Sequence, residues 1–257
     1  MCSAICIDVA ADTHVGLVRP NNEDSFAAVP ELGLFMVADG MGGRPGGEVA
    51  SRLAIDTVRA CFEQDDPERT WPYARDLTKD RAEVLFAEAV RRANTAVFQK
   101  GVLTPTLRGM GTTFAGALVR GPRLYLAHVG DSRVYRFRRG ELERLTCDHS
   151  VAGDAQRLGV ILDDIDPRIA GRLERAVGTH ARVDVETRVE FIEPGDTLLL
   201  CSDGLWQPVH ESVISVMLAW CSRPSAIVAG LIGYALERGG PDNVTCVVVR
   251  IGHADVG

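Results

Sequence analysis

The chain has no run of eighteen consecutive apolar residues, so the sequence predicts no membrane-spanning helix. Its opening, "MCSAICIDVAADTH", lacks a basic stretch followed by a long apolar core, and no secretory leader is expected. Cys-x-x-Cys is absent. The seven cysteines, an odd number, are scattered, which excludes a zinc ribbon and a disulfide framework and suits a reducing cytoplasm. Cys201 and Cys246 sit inside apolar runs and read as small core residues. Excess positive charge is lacking too. The net charge of −7 argues against nucleic acid or an anionic membrane as the main partner. Internal repeats and low-complexity tails are also missing.

What remains is an ordinary globular composition in 257 residues, a length suited to one large domain spanning 1–257. Val-, Leu- and aromatic-rich runs predict strands over Gly33–Ala38, Thr113–Val119, Arg123–Val129, Arg133–Arg138, Thr197–Cys201 and Val244–Ile251. Gly121-Pro122 and Arg139-Gly140 read as turns of an antiparallel meander. Helical spacing of apolar residues from Ala82 to Val97 follows Asp80 and Glu83, which resemble a capping box. Further helices are predicted over Glu48–Phe62, Pro208–Trp220 and Pro224–Glu237. Strands in runs and helices in runs indicate an α+β layered domain. Residues 61–80 read as a surface connection. Residues 146–180 read as a long surface segment lying over something, or simply a loop.

Charge falls where strands end. The run from Leu32 to Ala38 stops at Asp39, and three of the next four residues are glycine. Asp203 follows "DTLLLCS", Asp242 precedes "NVTCVVVRI", Asp131 sits between two strands, and Glu23-Asp24 follow a polar turn. A carboxylate buried at a strand end is costly unless it is paired or metal-bound. If these ends converge, an oxygen-only cluster results, and such donors suit magnesium or manganese rather than zinc. Each aspartate alone reads more readily as a turn former or helix cap than as a ligand; their joint occurrence favours the metal reading. "DGMGGRPGGE" is not a nucleotide loop, since G-x-G-x-x-G would need glycine at Pro45 and the Lys-Ser/Thr of a Walker loop is absent.

Taken in order, "RPNNED", "VADGMGG", Gly111-Thr112, "VGDSR", "CSDGLW" and "PDNVT" resemble the metal-dependent Ser/Thr protein phosphatases of the type 2C class, bacterial branch. The resemblance covers about residues 10 to 251. It implies a four-layer α-β-β-α sandwich, in which two antiparallel sheets are flanked by helices. It implies two or three Mn2+ or Mg2+ ions. Asp39 would bridge two of them, and the Gly40 carbonyl would reach one. Asp203 and Asp242 would bind the other, Glu23 and Asp24 would hold metal-bound waters, and Asp131 with Asp203 would form a looser third site. Arg19 matches the family's phosphate-binding arginine, whose fork can grip two oxygens. The family's activity is hydrolysis of phosphoserine and phosphothreonine in proteins by a metal-activated water, with no cysteine nucleophile, opposing a Ser/Thr kinase.

Met41 departs from relatives that carry a histidine there as general acid. His14, His149 and His180 lie near the motifs, but nothing ties them to that role, and they read as structural or exposed. Residues 146–180 fall where the family carries a flap. Its Asp163, Asp164, Asp166, Arg168, Arg172 and Arg175 could meet a phosphoprotein, and Asp163 or Asp164 could complete the third site. A monomer in the cytoplasm is expected. A pseudophosphatase that binds phosphoproteins without turnover is the rival, but it would usually lose an aspartate, and Asp39, Asp203 and Asp242 are all present. A phosphatase of anti-sigma-factor antagonists shares the fold, but its members usually carry sensor or membrane domains for which this chain has no room.

Overall fold

The computed structural model describes residues 5–41, 46–63, 80–159 and 166–253. Among the described residues, ten strands form two five-stranded sheets. In the first sheet the order is β1 (Ile5–His14), β10 (Val244–His253), β9 (Thr197–Cys201), β6 (Arg133–Arg138), β7 (Glu141–Arg144). In the second it is β2 (Asp24–Val29), β3 (Leu34–Asp39), β4 (Phe114–Arg120), β5 (Arg123–Val129), β8 (Glu186–Phe191). Every pairing is antiparallel.

Both predicted turns are tight. Arg120 pairs with Arg123 across Gly121-Pro122, and Arg138 pairs with Glu141 across Arg139-Gly140. Arg139 and Gly140 both have positive φ (52° and 90°), which matches the right-handed twist of the strands they join.

Three apolar clusters give the layering. Val37, Ala117, Leu126, Leu198 and Val249 fill the space between the sheets. The outer face of the second sheet packs on α1 (Gly47–Glu63) and α2 (Arg81–Leu103). There Phe86 stands edge-on to Phe62 and Phe114, with ring centroids at 5.5 and 6.2 Å. The outer face of the first sheet packs on α6 (Glu211–Trp220) and α7 (Pro224–Glu237). The expected α-β-β-α sandwich is therefore the fold. Cys201 and Cys246 are fully buried cross-strand neighbours in it.

Several boundaries differ from the expectation. Asp39 is the last residue of β3 rather than the first residue after it, because it pairs with Asp24. Pro208 does not open α6. That helix starts at Glu211, after His210, whose Nδ1 accepts the Ser212 N–H at 3.2 Å. A separate short helix, α5 (Asp203–Trp206), precedes it. Pro224 does open α7, as predicted. Asp80 caps α2 through the Ala82 N–H, while Glu83 accepts from Thr187 on β8. The 146–180 segment is not a plain loop. Ser150 caps α3 (Val151–Arg157) by accepting the Gly153 N–H, and α4 (Pro167–Ala170) follows. Asp163 and Asp164 lie outside the described residues, as does most of the 61–80 connection.

Candidate metal centre

The two sheets present their charged strand ends to one another. Asp24 opens β2 and Asp39 closes β3, and they are direct cross-strand partners. Asp203 begins α5 just past β9, and Asp242 lies just before β10, the strand that pairs with β9. Asp131 occupies the turn from β5 to β6, where the chain crosses between sheets. A cavity of about 470 Å³ opens at this rim. Seven of the eight residues predicted for the site line it: Arg19, Glu23, Asp39, Gly40, Asp131, Asp203 and Asp242. Asp24 alone does not line it; it is buried beside Asp39, its cross-strand partner.

The supporting residues were mostly silent in the sequence. Oδ2 of Asp24 accepts from Ser202 Oγ at 2.7 Å and Thr245 Oγ1 at 2.6 Å, both from the opposite sheet. Asp24 thus ties the two sheets together. Thr112 Oγ1 and the Thr113 N–H both donate to the Asp39 carbonyl at 2.8 Å, and the Asp39 N–H donates to Thr113 Oγ1 at 2.9 Å. Asn243 accepts the Glu23 N–H and donates to the Val15 and Asn21 carbonyls, which sets the loop carrying Arg19. A signal for these was at hand: Ser202, Thr112, Asn243 and Thr245 fall inside the quoted motifs, beside the carboxylates.

Gly40 has a steric reason as well. A Cβ there would lie 2.4 Å from the Gly47 carbonyl and 2.6 Å from the Glu23 carbonyl. Arg19 and Asp242 are brought to each other, with Nη2 donating to Oδ2 at 2.7 Å. From the 146–180 segment, Gly171, Arg172 and Leu173 also line the cavity. The backbones of Val177 and Thr112 exchange two hydrogen bonds, which pin the end of the segment beside Asp39.

Burial and mutual repulsion disfavour the charged forms here. Burial, then the charge of Asp203, pushes Asp131 up to about 7. Burial, followed by the charges of Asp24, Asp203 and Asp131, drives Asp39 far above the usual carboxylate range. Asp24 and Asp203 are raised mainly by burial. Two carboxylate oxygens, Asp24 Oδ1 and Asp203 Oδ1, are buried with no hydrogen-bond partner. Nearly every buried polar atom in a native protein is satisfied. Crowded, desolvated carboxylates with orphaned oxygens and no nitrogen or sulfur donor fit hard divalent cations.

A sandwich whose rim gathers acidic oxygen donors around an open cavity is suited to divalent cations. A family model for protein phosphatase 2C matches residues 18–226, and the chain belongs to that family. Over 250 residues it is 39% identical to the serine/threonine protein phosphatase PstP of Mycobacterium tuberculosis, covering 96% of this chain and 46% of that one. The chain therefore spans about half the length of PstP. It is 32% identical to the serine/threonine phosphatase stp of Listeria monocytogenes, covering 93% of each. The catalytic domain of PstP in complex with two manganese ions superposes with a TM-score of 0.82 at 36% identity, over 97% of this chain and 100% of that one. The Mycobacterium smegmatis phosphatase MsPP, solved with cacodylate, gives 0.79 at 33% identity, over 95% and 98%.

The raised carboxyls set the sign of a pH effect. Asp131 and Asp24 hold their protons in the metal-free fold to higher pH than in the unfolded chain, whose aspartates titrate near 3.8. Their contribution to stability is thus complete below that value and is lost as pH rises toward about 7. Bound cations remove this loss. The gain in Tm from saturating Mn2+ over chelator is expected to be clearly larger at pH 7.5 than at pH 5. Equal gains at both values would contradict the assignment of these carboxyls.

Proposed function

We propose that this protein hydrolyses phosphoserine and phosphothreonine in proteins with two or three Mn2+ or Mg2+ ions at the sheet rim, opposing a Ser/Thr kinase. The observation that carries the reading is the set of buried carboxylates facing one another, two of whose oxygens have no partner. Family membership and the manganese-bound PstP domain support it. Asp39, Asp203, Asp242 and the Gly40 carbonyl would hold the two principal ions. Glu23 and Asp24 would orient water on them, and Asp131 with Asp203 would hold the third. When bound, such ions supply positive charge against phosphoryl oxygens and make a coordinated water acidic.

The chain's own residues do the rest. Arg19 is 42% exposed at the cavity edge, so its guanidinium is free to exchange the single contact with Asp242 for two phosphate oxygens. Asp24 is the strut, spending one oxygen on Ser202 and Thr245 and turning the other inward. Met41 lines the cavity and has no proton to give, and no histidine lines it among the described residues. Water would then supply the proton to the departing serine or threonine oxygen. Arg172 also lines the cavity, where a phosphoprotein would pass. Action on proteins as a monomer in the cytoplasm completes the proposal. No helix among the described residues is long and apolar enough to cross a membrane.

Hydrolysis of a phosphothreonine peptide in Mn2+, Mg2+ and chelator tests the reading. Turnover is expected with either metal and none with chelator. Asp39→Asn should abolish it while the circular dichroism spectrum stays native. A chain that binds the phosphopeptide but never turns it over, whatever the metal, would be the pseudophosphatase instead.

Arg19→Ala separates the two partners of that side chain. If its work is on phosphate, KM should rise roughly tenfold, the worth of a charge-assisted hydrogen bond, with little change in metal affinity. Weakened Mn2+ binding at constant KM would make Arg19 a prop for Asp242.

A further inference from the structure

Outside the acidic cavity, His128, His149 and Glu186 bring two ring nitrogens and a carboxylate oxygen within 4.8 Å of one another. Two histidines and a glutamate are zinc ligands by type. The hydrogen bonds of His149 and Glu186 give those two another task. The Gly130 N–H donates to His149 Nδ1 at 3.2 Å, so Nδ1 uses its lone pair there and the ring proton sits on Nε2. That Nε2–H faces Glu186 Oε2 at 3.1 Å. No lone pair of His149 is left for a metal. Two guanidiniums also crowd the spot: Arg157 lies 3.4 Å from the same Glu186 oxygen and Arg175 lies 3.5 Å from His149 Nε2. A cation would meet positive charge.

The cluster is instead a grip on the backbone. The His149 N–H donates to the Gly130 carbonyl at 2.7 Å, while its ring accepts the Gly130 N–H. One fully buried residue thus holds both polar backbone groups of Gly130. Gly130 has φ +108°, and a Cβ there would lie 2.8 Å from the Thr113 side chain, so this turn has little room to move. The next residue is Asp131, whose carbonyl accepts from the Trp206 indole at 3.0 Å. Two residues on, Arg133 forms a bidentate pair with Asp148, the neighbour of His149, at 3.0 and 2.7 Å. On its other side His149 accepts the Glu174 N–H at 2.9 Å, and Ser150 pairs with Leu173 of the cavity wall.

We propose that His149, oriented by Glu186, is a positioning residue that fixes the Gly130-Asp131 turn and joins it, through Glu174, to the 171–173 side of the cavity. The proposal rests on the reading of Asp131 as ligand of the weaker, third ion. By sequence His149 reads only as structural or exposed. Its place between the Asp131 turn and the cavity wall makes that structural task part of the site.

The test combines a metal-free readout with a metal-bound one. In metal-free protein, Gly130 amide exchange followed by NMR should quicken by about tenfold or more in His149→Leu. It should stay near wild type in His149→Asn, whose Oδ1 stands where Nδ1 stood. Glu186→Ala removes the orienting partner from a half-exposed position without opening the core. It should leave the His149 ring in mixed tautomers by long-range proton–nitrogen spectra, against a single Nε2–H form in wild type. It should also speed Gly130 exchange. Calorimetric Mn2+ titration should show the weakest site lost in Asp131→Ala and weakened in His149→Leu. Unchanged Gly130 exchange in both His149→Leu and Glu186→Ala overturns the proposal. Loss of the weak site in Asp131→Ala but not in His149→Leu also overturns it and leaves the Asp131 assignment standing. A weak site that survives Asp131→Ala overturns that assignment instead, while Gly130 exchange still decides whether the grip exists.

Discussion

Repulsion among buried carboxylates at the rim of the sandwich is the constraint from which the rest of the structure follows. Asp24 and Asp39 are cross-strand partners at the end of the second sheet, and Asp203 and Asp242 meet them from the end of the first. Like charges directly opposite on a sheet destabilise it. Burial makes matters worse, because it raises the cost of each charge. Such a rim persists only if something positive sits within it or the carboxyls keep their protons. Arg19 supplies part of the first, against Asp242. Divalent cations would supply the remainder.

The hydroxyls and amides around the rim then have a common purpose. Ser202, Thr245, Thr112, Thr113 and Asn243 hold backbone and carboxylate positions without adding charge. Asp24 links the sheets through one oxygen and leaves the other orphaned. The elements that carry the site are the sheets themselves, the most deeply buried part of the molecule. Of the described part of the 146–180 segment, Gly171, Arg172 and Leu173 line the cavity, and it is fastened by His149 to Gly130 and by Val177 to Thr112. The carboxylates proposed as ligands are thus held in place by the fold itself.

Much of this was legible in the sequence, and what was not has a physical pattern. All six predicted strands, β3, β4, β5, β6, β9 and β10, are interior to their sheets. All four missed strands, β1, β2, β7 and β8, are the edges. Most of the interior strands read as near-continuous apolar runs (β6, "RVYRFR", keeps only its aromatic and Val signal), whereas an edge strand has one neighbour and carries charge that blunts it, as in "ETRVEF" and "ELER". The acidic site was visible because aspartate after an apolar run is costly and so stands out. Its hydroxyl partners were not, since serine and threonine are unremarkable in turns and their partners are more than 170 residues away in the case of Asp24. His149 was visible only as a nearby histidine, because its partners Gly130 and Glu186 come from separate strand ends.

The central claim, that these carboxylates are held together by cations, is tested most directly by counting protons. Mn2+ binding to the metal-free protein, followed by calorimetry in buffers of different ionisation enthalpy, gives the number of protons released per chain. Carboxyls such as Asp131, raised to about 7 by burial, must give up protons when ions enter. The account predicts clear proton release at pH 6.5 that shrinks as the pH is raised to 8.5. Tight binding with no proton release at pH 6.5, or no binding at all, would contradict it.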